Sequence, residues 1–316
     1  MTKLDETAII KIFQDKFNKK RFISEDVEFF QLGKTKIVAK SDTLVQSTDI
    51  PPKMRLEDAA RKSIVACVSD FAAKGVKPEF GIISVNLPKK IRQDKVRDIA
   101  NGFQKASKEF GITILGGDTN SGKEIVFNVC IFGKAEKIVK RQGAKKGDSI
   151  IVTGPFGYTS VGLDILLNKK RAKGKFTAKA IQTVLRPKPK IEFGLKNAIY
   201  FSSSMDSSDG LSTTLNEMAT QSKKRFVIEK IPHSKEIEQY AESQKLNLNN
   251  LVFNGGEEYE IVFTVSPKYL RTVRKNAKIL KTPIIKIGHV ESGKGVYLNG
   301  NDAQSKIIDL GWKHFR

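Results

Sequence analysis

The sequence predicts an α/β protein built from two halves, and three observations lead to that prediction. Helix-like and strand-like patterns alternate along nearly the whole chain, as they do in mixed α/β folds. The 316 residues are enough for two domains of ordinary size. A strongly basic, glycine-containing stretch at 135–147 interrupts the alternation before a new strand begins. We therefore predict a first domain over residues 1–137 and a second over 138–316.

In the first half, residues 3–18 carry apolar side chains at helical spacing and predict an amphipathic helix. The β-branched run in 36–45 predicts a strand that meets a loop. Residues 56–75 place alanine, isoleucine, valine and phenylalanine at helical spacing and then stop at Gly75, which predicts a helix. The rest of this half reads as a strand, a helix and two strands with a glycine-rich turn between them: 80–88, 94–111, 112–120 and 124–135.

The second half opens with the strand-like run SIIVTG at 149–154 and continues to alternate as far as the tail LGWKHFR. Within it, SSMDSSDGL at 203–211 concentrates carboxylates and hydroxyls where a helix begins. One interpretation is helix capping, because Ser208 and Asp209 are residue types that cap helix N-termini. The other is a site for a metal ion and a phosphate.

The composition and charge of the chain limit which classes of protein it can belong to. No apolar run approaches the ~20 residues that a membrane helix needs, and the amino terminus lacks the apolar core of a signal peptide, so we expect a cytoplasmic protein. Lys and Arg exceed Asp and Glu by 56 to 34, giving a net charge of +22. The basic runs are dispersed and lack interleaved aromatic residues, so we do not expect a nucleic-acid partner, although binding through the basic surface stays a third hypothesis.

Five acidic stretches stand out, each in a predicted loop or at the end of a predicted element. Taken singly, an Asp beside Ser, Thr or Gly is usually a cap or turn residue. Several carboxylates that converge, however, are what hard cations bridging nucleotide phosphates require. The chain has no GxxxxGK[ST] motif, so a P-loop is excluded. The carboxylates in these stretches are Asp26, Asp42, Asp70, Asp118, Asp206 and Asp209.

A further dense motif is GGEEYEIVF at 255–263, which leads two glycines, two carboxylates and a tyrosine directly into a strand. A turn with a charged flank explains it as well as a site does. Its carboxylates could recognise a cationic or polar group of a substrate, or steady a metal-bound water.

Taken in order, the motifs resemble those of the thiamine-monophosphate kinases, which share a superfamily with aminoimidazole ribonucleotide synthetase and selenophosphate synthetase. The resemblance extends over nearly the whole chain. It implies an N-terminal α/β dimerisation domain followed by a C-terminal α/β domain, with ATP between them, and a homodimer. The matching segments are SDTLV, VSDFAAKGVKP, FGITILGGDTN, GAKKGDSIIVTG, RPKPK, SMDSSDGL, GGEEYEIVFTV, IGHV and GWKHF.

The resemblance also implies residue roles and the cofactors Mg²⁺ and ATP, the latter as co-substrate. It implies direct in-line transfer of a phosphate from ATP to thiamine monophosphate, which gives thiamine diphosphate. Asp209 is implied as a catalytic acid of the metal or phosphate site. The implied magnesium ligands are Asp26, Asp42, Asp70, Asp118, Asp206 and Asp209. The implied nucleotide contacts are Ser41, Thr43, Gly117, Asp118, Arg141 and Ser208. The implied acceptor contacts are Asp49, Glu257 and Trp312.

The sequence departs from the family pattern at three places. The usual Gly-Asp-Asp-Ala-Ala reads SEDVE at 24–28, a family histidine on the substrate side is Asp49, and GGEDYE has Glu258 in place of its aspartate. These departures leave a second hypothesis open: a nucleotide-binding paralogue that is non-catalytic or has a different specificity.

Overall fold

The computed structural model describes residues 4–17, 24–170, 174–300 and 303–315. Within them the chain forms two sheets, each with helices packed against it, which confirms the predicted mixed α/β class. None of the described helices is both long and apolar enough to cross a membrane.

The first sheet has five strands in the order β1-β2-β5-β3-β4. All neighbouring strands in it are antiparallel except β3 and β4, which run parallel. Its strands are β1 (Glu28–Leu32), β2 (Thr35–Val45), β3 (Lys77–Pro88), β4 (Thr113–Gly122) and β5 (Val126–Lys134). The helices of this half are α1 (Glu6–Lys16), α2 (Gln46–Asp49), α3 (Leu56–Lys74) and α4 (Gln93–Phe110).

The second sheet has seven strands in the order β12-β11-β8-β10-β6-β9-β7. Its strands are β6 (Ser149–Val152), β7 (Phe201–Ser207), β8 (Arg225–Ile228), β9 (Glu260–Val265), β10 (Ile285–Glu291), β11 (Gly295–Asn299) and β12 (Gln304–Lys306). The helices of this half are α5 (Tyr158–Leu167), α6 (Lys175–Leu185), α7 (Ile191–Asn197), α8 (Leu211–Ser222), α9 (Lys235–Ser243), α10 (Leu248–Phe253) and α11 (Pro267–Ile279). The segment between β5 and β6 joins the two sheets, and the boundary predicted after residue 137 falls within it.

Helix α3 belongs to the cores of both halves. Its residues Ile64, Val68 and Phe71 pack in the core of the first sheet. Ala72 and Ala73, at its end, pack in the core of the second half with the aromatic group around Phe193. Nearly every residue of α3 is buried as a result, including several that carry charge. A buried helix with charged side chains must supply each of them with a partner, and this requirement shapes the site described below.

The close approach of α3 and α7 depends on a glycine. A Cβ atom at Gly194 would lie 1.9 Å from the carbonyl oxygen of Ala72. Because a backbone atom cannot yield as a flexible side chain can, any side chain at position 194 would push the two helices apart.

We therefore expect Gly194→Ala to lower the free energy of unfolding by about 2 kcal/mol, the cost of overpacking a dense core. The matched control is Gly122→Ala, where the new Cβ would meet nothing closer than 3.6 Å and the expected change is below ~0.5 kcal/mol. Urea denaturation followed by circular dichroism measures both. Equal stability of the two variants would contradict the close packing of α3 on α7.

Candidate active site

A cleft of about 500 Å³ lies between the two halves. The first half contributes β2, the turn of α2 and one face of α3, and the second contributes the end of β7, the loop before β9 and the carboxy-terminal tail. The predicted site residues that line this cleft are Asp42, Thr43, Asp49, Asp70, Asp206, Ser208, Asp209, Glu257 and Trp312. The sequence motifs that carry them are far apart along the chain, and the fold brings them together.

Three buried carboxylates meet beside the cleft: Asp26 from the segment before β1, Asp70 from α3 and Asp206 from β7. One oxygen from each lies within 4.8 Å of the others. Asp26 is balanced by its own cations, since the Lys74 ammonium is 2.8 Å and the Arg141 guanidinium 2.5 Å from its oxygens. Lys74 also contacts Glu25 at 2.9 Å, so both acids of the altered SEDVE motif are paired.

Asp70 has one cation, the Lys40 ammonium at 2.8 Å, and Asp206 has none within salt-bridge distance among the described residues. Burial, followed by the charge of Asp206, raises the pKa of Asp70 well above its usual range. Burial and the charge of Asp26 raise the pKa of Asp206, and a hydrogen bond joins Asp206 to Asp70. Nearby, burial and Asp206 raise the pKa of Asp209 to about 6. Two carboxylates this close share a proton unless a cation joins them, so the donor set fits a hard divalent cation.

The SSDGL segment runs from the end of β7 into α8 and lies beside this acidic group. Helix α8 begins at Leu211, its N-cap is Gly210 with φ of 113°, and no side chain caps it. The interpretation of Ser208 or Asp209 as a capping residue is therefore wrong, because the chain turns into the helix through the glycine. Both residues line the cleft instead, beside the first turn of α8.

The GGEEY loop holds Glu257 in the cleft through an unusual backbone. Glu257 has φ of 62° and Tyr259 has φ of 51°, both in the left-handed region that most residues avoid. The Glu257 N–H donates to the Ser208 carbonyl at 2.5 Å and the Tyr259 N–H donates to the Ser207 carbonyl at 3.0 Å. These two hydrogen bonds tie the loop to the end of β7, which fixes Glu257 beside the SSDGL segment.

Lys62 of α3, buried and unforeseen from the sequence, joins two of the predicted acceptor residues. Its ammonium lies 2.5 Å from the Glu257 carboxylate and donates to the Asp49 carbonyl at 2.9 Å. The Asp49 carboxylate itself accepts from the Val45 N–H at 2.6 Å and so supports the turn of α2. Lys62 thus holds the acceptor side of the cleft together across both halves.

Glu258, the neighbour of Glu257, points away from the cleft into the second half. It accepts hydrogen bonds from the Gly157 N–H at 2.6 Å and the Thr159 N–H at 3.3 Å, at the start of α5. Helix α5 carries Leu163 and Leu167, which form part of the apolar wall of the cleft. Burial raises the pKa of Glu258 to about 7. The glutamate that stands here in place of the family's aspartate therefore holds the start of α5 and does not contact the cleft.

The opposite wall comes from both ends of the chain. The Trp312 side chain is exposed in the cleft, and the Trp312 backbone N–H donates to the Asp209 carbonyl at 2.8 Å. Glu6 of α1 also lines the cleft and accepts from the His314 N–H at 3.4 Å. The sequence indicated Trp312 through the GWKHF motif, but it carried no signal for Glu6.

Four of the residues predicted to contact the nucleotide do not line the cleft: Ser41, Gly117, Asp118 and Arg141. Ser41 and Asp118 are exposed on strands of the first sheet and do not line the cleft. A Cβ atom at Gly117 would lie 1.6 Å from the Ile83 carbonyl oxygen, so this glycine is needed for strand packing. Arg141 binds Asp26 and donates to Ser24 Oγ at 2.9 Å.

The expectation that every acidic stretch lies in a loop or at an element end is wrong for three of them. Asp42 lies inside β2, Asp118 inside β4 and Asp70 inside α3. Strand β4 is exposed along its whole length, so it tolerates the polar and glycine residues that suggested a loop. Asp70 belongs to a helix whose apolar face continues past it.

Comparisons with known proteins agree with this architecture. Residues 24–135 match the family model described as AIR synthase related protein, N-terminal domain. The chain is 64% identical to the thiamine-monophosphate kinase of Nitrosopumilus maritimus over 316 residues, all of both chains. It is 33% identical to that of Pyrococcus horikoshii, covering 100% of this chain and 98% of the relative.

Among solved structures, the chain resembles one described as AaThiL complexed with AMPPCP and TMP. The TM-score is 0.87 at 29% identity, covering 99% of this chain and 98% of that one. A crystal structure of thiamine monophosphate kinase from Aquifex aeolicus matches with a TM-score of 0.83 at 28% identity, covering 93% and 97%.

The raised pKa of Glu258 predicts a pH-dependent stability. The folded protein holds a proton on Glu258 that the unfolded chain, with a pKa near 4.5, releases. The free energy of unfolding therefore decreases as pH rises from about 4.5 through about 7, by up to about 3 kcal/mol. We expect Glu258→Gln, which keeps an oxygen acceptor for the Gly157 N–H, to show a smaller decrease in the free energy of unfolding over this pH range.

Urea denaturation of both proteins at pH 5 and pH 7.5 checks this expectation. The control is Glu242→Gln, on the surface of α9, which should retain the wild-type slope. An unchanged pH dependence in Glu258→Gln would contradict a neutral, buried Glu258.

Proposed function

Because the chain belongs to the thiamine-monophosphate kinase family, we propose that it transfers the terminal phosphate of ATP to thiamine monophosphate. The observation that carries this proposal is the cleft between the halves, where more carboxylates converge than the single described cation beside them, Lys40, can compensate, next to apolar side chains. Such a cleft offers a charged end for phosphates and cations and an apolar end for an organic ring system. The related structure described with AMPPCP, an ATP analogue, and TMP supports the same pairing of substrates.

We propose that Mg²⁺ binds at the charged end, held by Asp42, Asp70, Asp206 and Asp209, with Asp26 behind them. When bound, magnesium would offset the charge of the phosphate oxygens during transfer. An acceptor that is already a phosphate monoester is largely deprotonated near pH 7, so it needs no strong general base. Among the described residues that line the cleft, His314 is the histidine, and its contact with Glu6 is through its backbone N–H. This agrees with a transfer that needs no histidine base.

The chain's own groups would orient the two substrates. The start of α8 has no side-chain cap, so the N–H groups that follow Ser208 and Asp209 are available to a phosphate. Arg141, fixed by Asp26, adds positive charge on the nucleotide side. On the acceptor side, Glu257 and Asp49 are fixed by Lys62, while Trp312 supplies an aromatic face. These contacts would hold the acceptor phosphate towards the acidic group.

We further propose two domains, divided after residue 137, and a homodimer that forms through the first sheet. The face of this sheet opposite α3 exposes Phe30, Phe80 and Ile82, and no described helix covers it. A second copy is the occupant we propose, because the resemblance implies a dimerisation domain here. Asp118 is the strand partner of Ser84, which lies two residues from Ile82 on β3, so Asp118 is on the same face as Ile82. We propose that Ser41, Gly117 and Asp118 take part in nucleotide binding only once the dimer forms.

The alternative, a paralogue with another acceptor or no turnover, rests on the altered motifs. The structure shows that Glu25 and Asp26 are both engaged with Lys74, so the altered SEDVE motif retains ordered carboxylates. A coupled assay of ADP release over a panel of acceptor phosphates separates the two proposals. Turnover only with thiamine monophosphate supports the kinase, whereas ATP binding without turnover supports the paralogue.

We expect Asp206→Asn to reduce turnover by at least ~100-fold, because the change removes a charged ligand where phosphoryl transfer depends on electrostatic stabilisation. Asp118→Asn, at the proposed dimer interface, should reduce turnover to a similar extent. The matched control is Asp98→Asn, on the exposed side of α4. Circular dichroism verifies folding, and near-normal turnover in Asp206→Asn would contradict the site.

The proposed dimer predicts that Ile82→Asp gives monomers, because a charge on an apolar interface must be desolvated without a partner. Light scattering after size exclusion measures the mass. Ile279→Asp, on α11 in the second half, changes another exposed isoleucine and should remain dimeric. A monomeric wild-type protein, or a dimeric Ile82→Asp variant, would contradict an interface on this face.

A further inference from the structure

Lys40 is a cation placed among the carboxylates of the proposed metal site. Its ammonium lies 2.8 Å from the nearer oxygen of Asp70 and 3.7 Å from that of Asp42. Lys40 and Asp42 are two residues apart on β2, so their side chains leave the strand on the same face. The side chain of Lys40 is 25% exposed and reaches the cleft, where it is one of the lining residues.

The other cations near the cleft have separate partners. Lys74 and Arg141 are bound to Asp26 and Glu25, and Lys62 is bound to Glu257. This leaves Lys40 as the single described cation in contact with Asp42 and Asp70. The neighbouring carboxylates of Asp206 and Asp209 have no cation within salt-bridge distance among the described residues.

An ammonium and a divalent cation compete for the same position. Mg²⁺ binds carboxylate oxygens at about 2.1 Å, and an ammonium that is ion-paired with those oxygens occupies the space the ion would need. Lysine is also a compact, strongly hydrated point charge, so it can replace an ion electrostatically without supplying any coordination. Unlike a dissolved ion, it is tethered to the strand and present at every metal concentration.

We propose that the Lys40 ammonium takes the place of one divalent cation between Asp42 and Asp70, so that this protein binds one ion fewer than its carboxylates would otherwise hold. The inference rests on the proposed magnesium site and specifies how many ions this chain's residues accept. Lys40 contacts one oxygen of Asp42 and one of Asp70, so their other oxygens, together with Asp206 and Asp209, remain available to the ions that do bind.

The test compares the wild type with Lys40→Met, which keeps the length of the side chain and removes its charge. Lys36→Met is the matched control, because Lys36 lies on the same strand but donates to the Glu136 carbonyl at 3.0 Å. Each protein is titrated with Mn²⁺ alone, and electron paramagnetic resonance measures the free ion. Thermal unfolding is followed in excess EDTA and in excess Mg²⁺.

We expect Lys40→Met to bind one more Mn²⁺ per chain than the wild type and Lys36→Met. It should also unfold at a lower temperature in EDTA, because buried carboxylates lose their cation, and gain more from Mg²⁺ than the wild type does. Lys40→Gln, which is uncharged but polar, repeats the titration in case the methionine variant does not fold.

Two outcomes would overturn the proposal in different ways. Mn²⁺ binding that is equal in number and affinity for the wild type and both Lys40 variants would show that the ammonium does not replace an ion. Absence of Mn²⁺ binding from all of the proteins would refute the proposed metal site itself.

Discussion

The structure depends on how the buried charges of helix α3 are compensated. The helix is packed by both cores, yet it carries Lys62, Asp70 and Lys74 along its length. An unpaired buried charge costs several kcal/mol, so each of these groups needs a partner that other parts of the chain must supply. Lys62 and Lys74 find theirs in the GGEEY loop and in the segment before β1. The Lys62–Glu257 ion pair and a hydrogen bond of 2.8 Å from the Lys74 ammonium to the Ser204 carbonyl hold the two halves in one arrangement, and the cleft is the space that remains between them.

This arrangement also accounts for the strained loop before β9. Left-handed backbone at Glu257 and Tyr259 costs of order 1–3 kcal/mol at each non-glycine residue. The hydrogen bonds to the end of β7 and the ion pair with Lys62 offset that cost. Because the loop is held from both halves, Glu257 keeps one position beside the SSDGL segment. Strain of this kind is typical of sites where a side chain must be fixed before a substrate arrives.

Part of this could be predicted from the sequence, and the rest required contacts between distant residues. Helix α3 and its stop at Gly75 followed from apolar spacing, and the ordered motifs indicated the fold and most of the cleft residues. The positions of Asp42 and Asp118 could not be predicted locally, since polar residues in an exposed or cleft-facing strand look like those in a loop. Lys62 was equally hidden, because a lysine on an apolar helix gives no sign of a partner about 200 residues away. Helix capping at Ser208 was chemically reasonable, but the backbone turns through Gly210 instead.

The acidic cleft and the net charge of +22 act over different distances. At physiological ionic strength, charges more than about 8 Å apart are largely screened, so dispersed surface lysines do little to neutralise carboxylates in the cleft. The surface charge would instead raise the rate at which anionic ATP and thiamine monophosphate approach. Inside the cleft, Asp70 and Asp206 are buried, where screening is weak, and they respond to whatever cation touches them. An anionic substrate can therefore be attracted to a basic protein and still meet a site whose charge favours metal ions, because Lys40 compensates only part of its carboxylates.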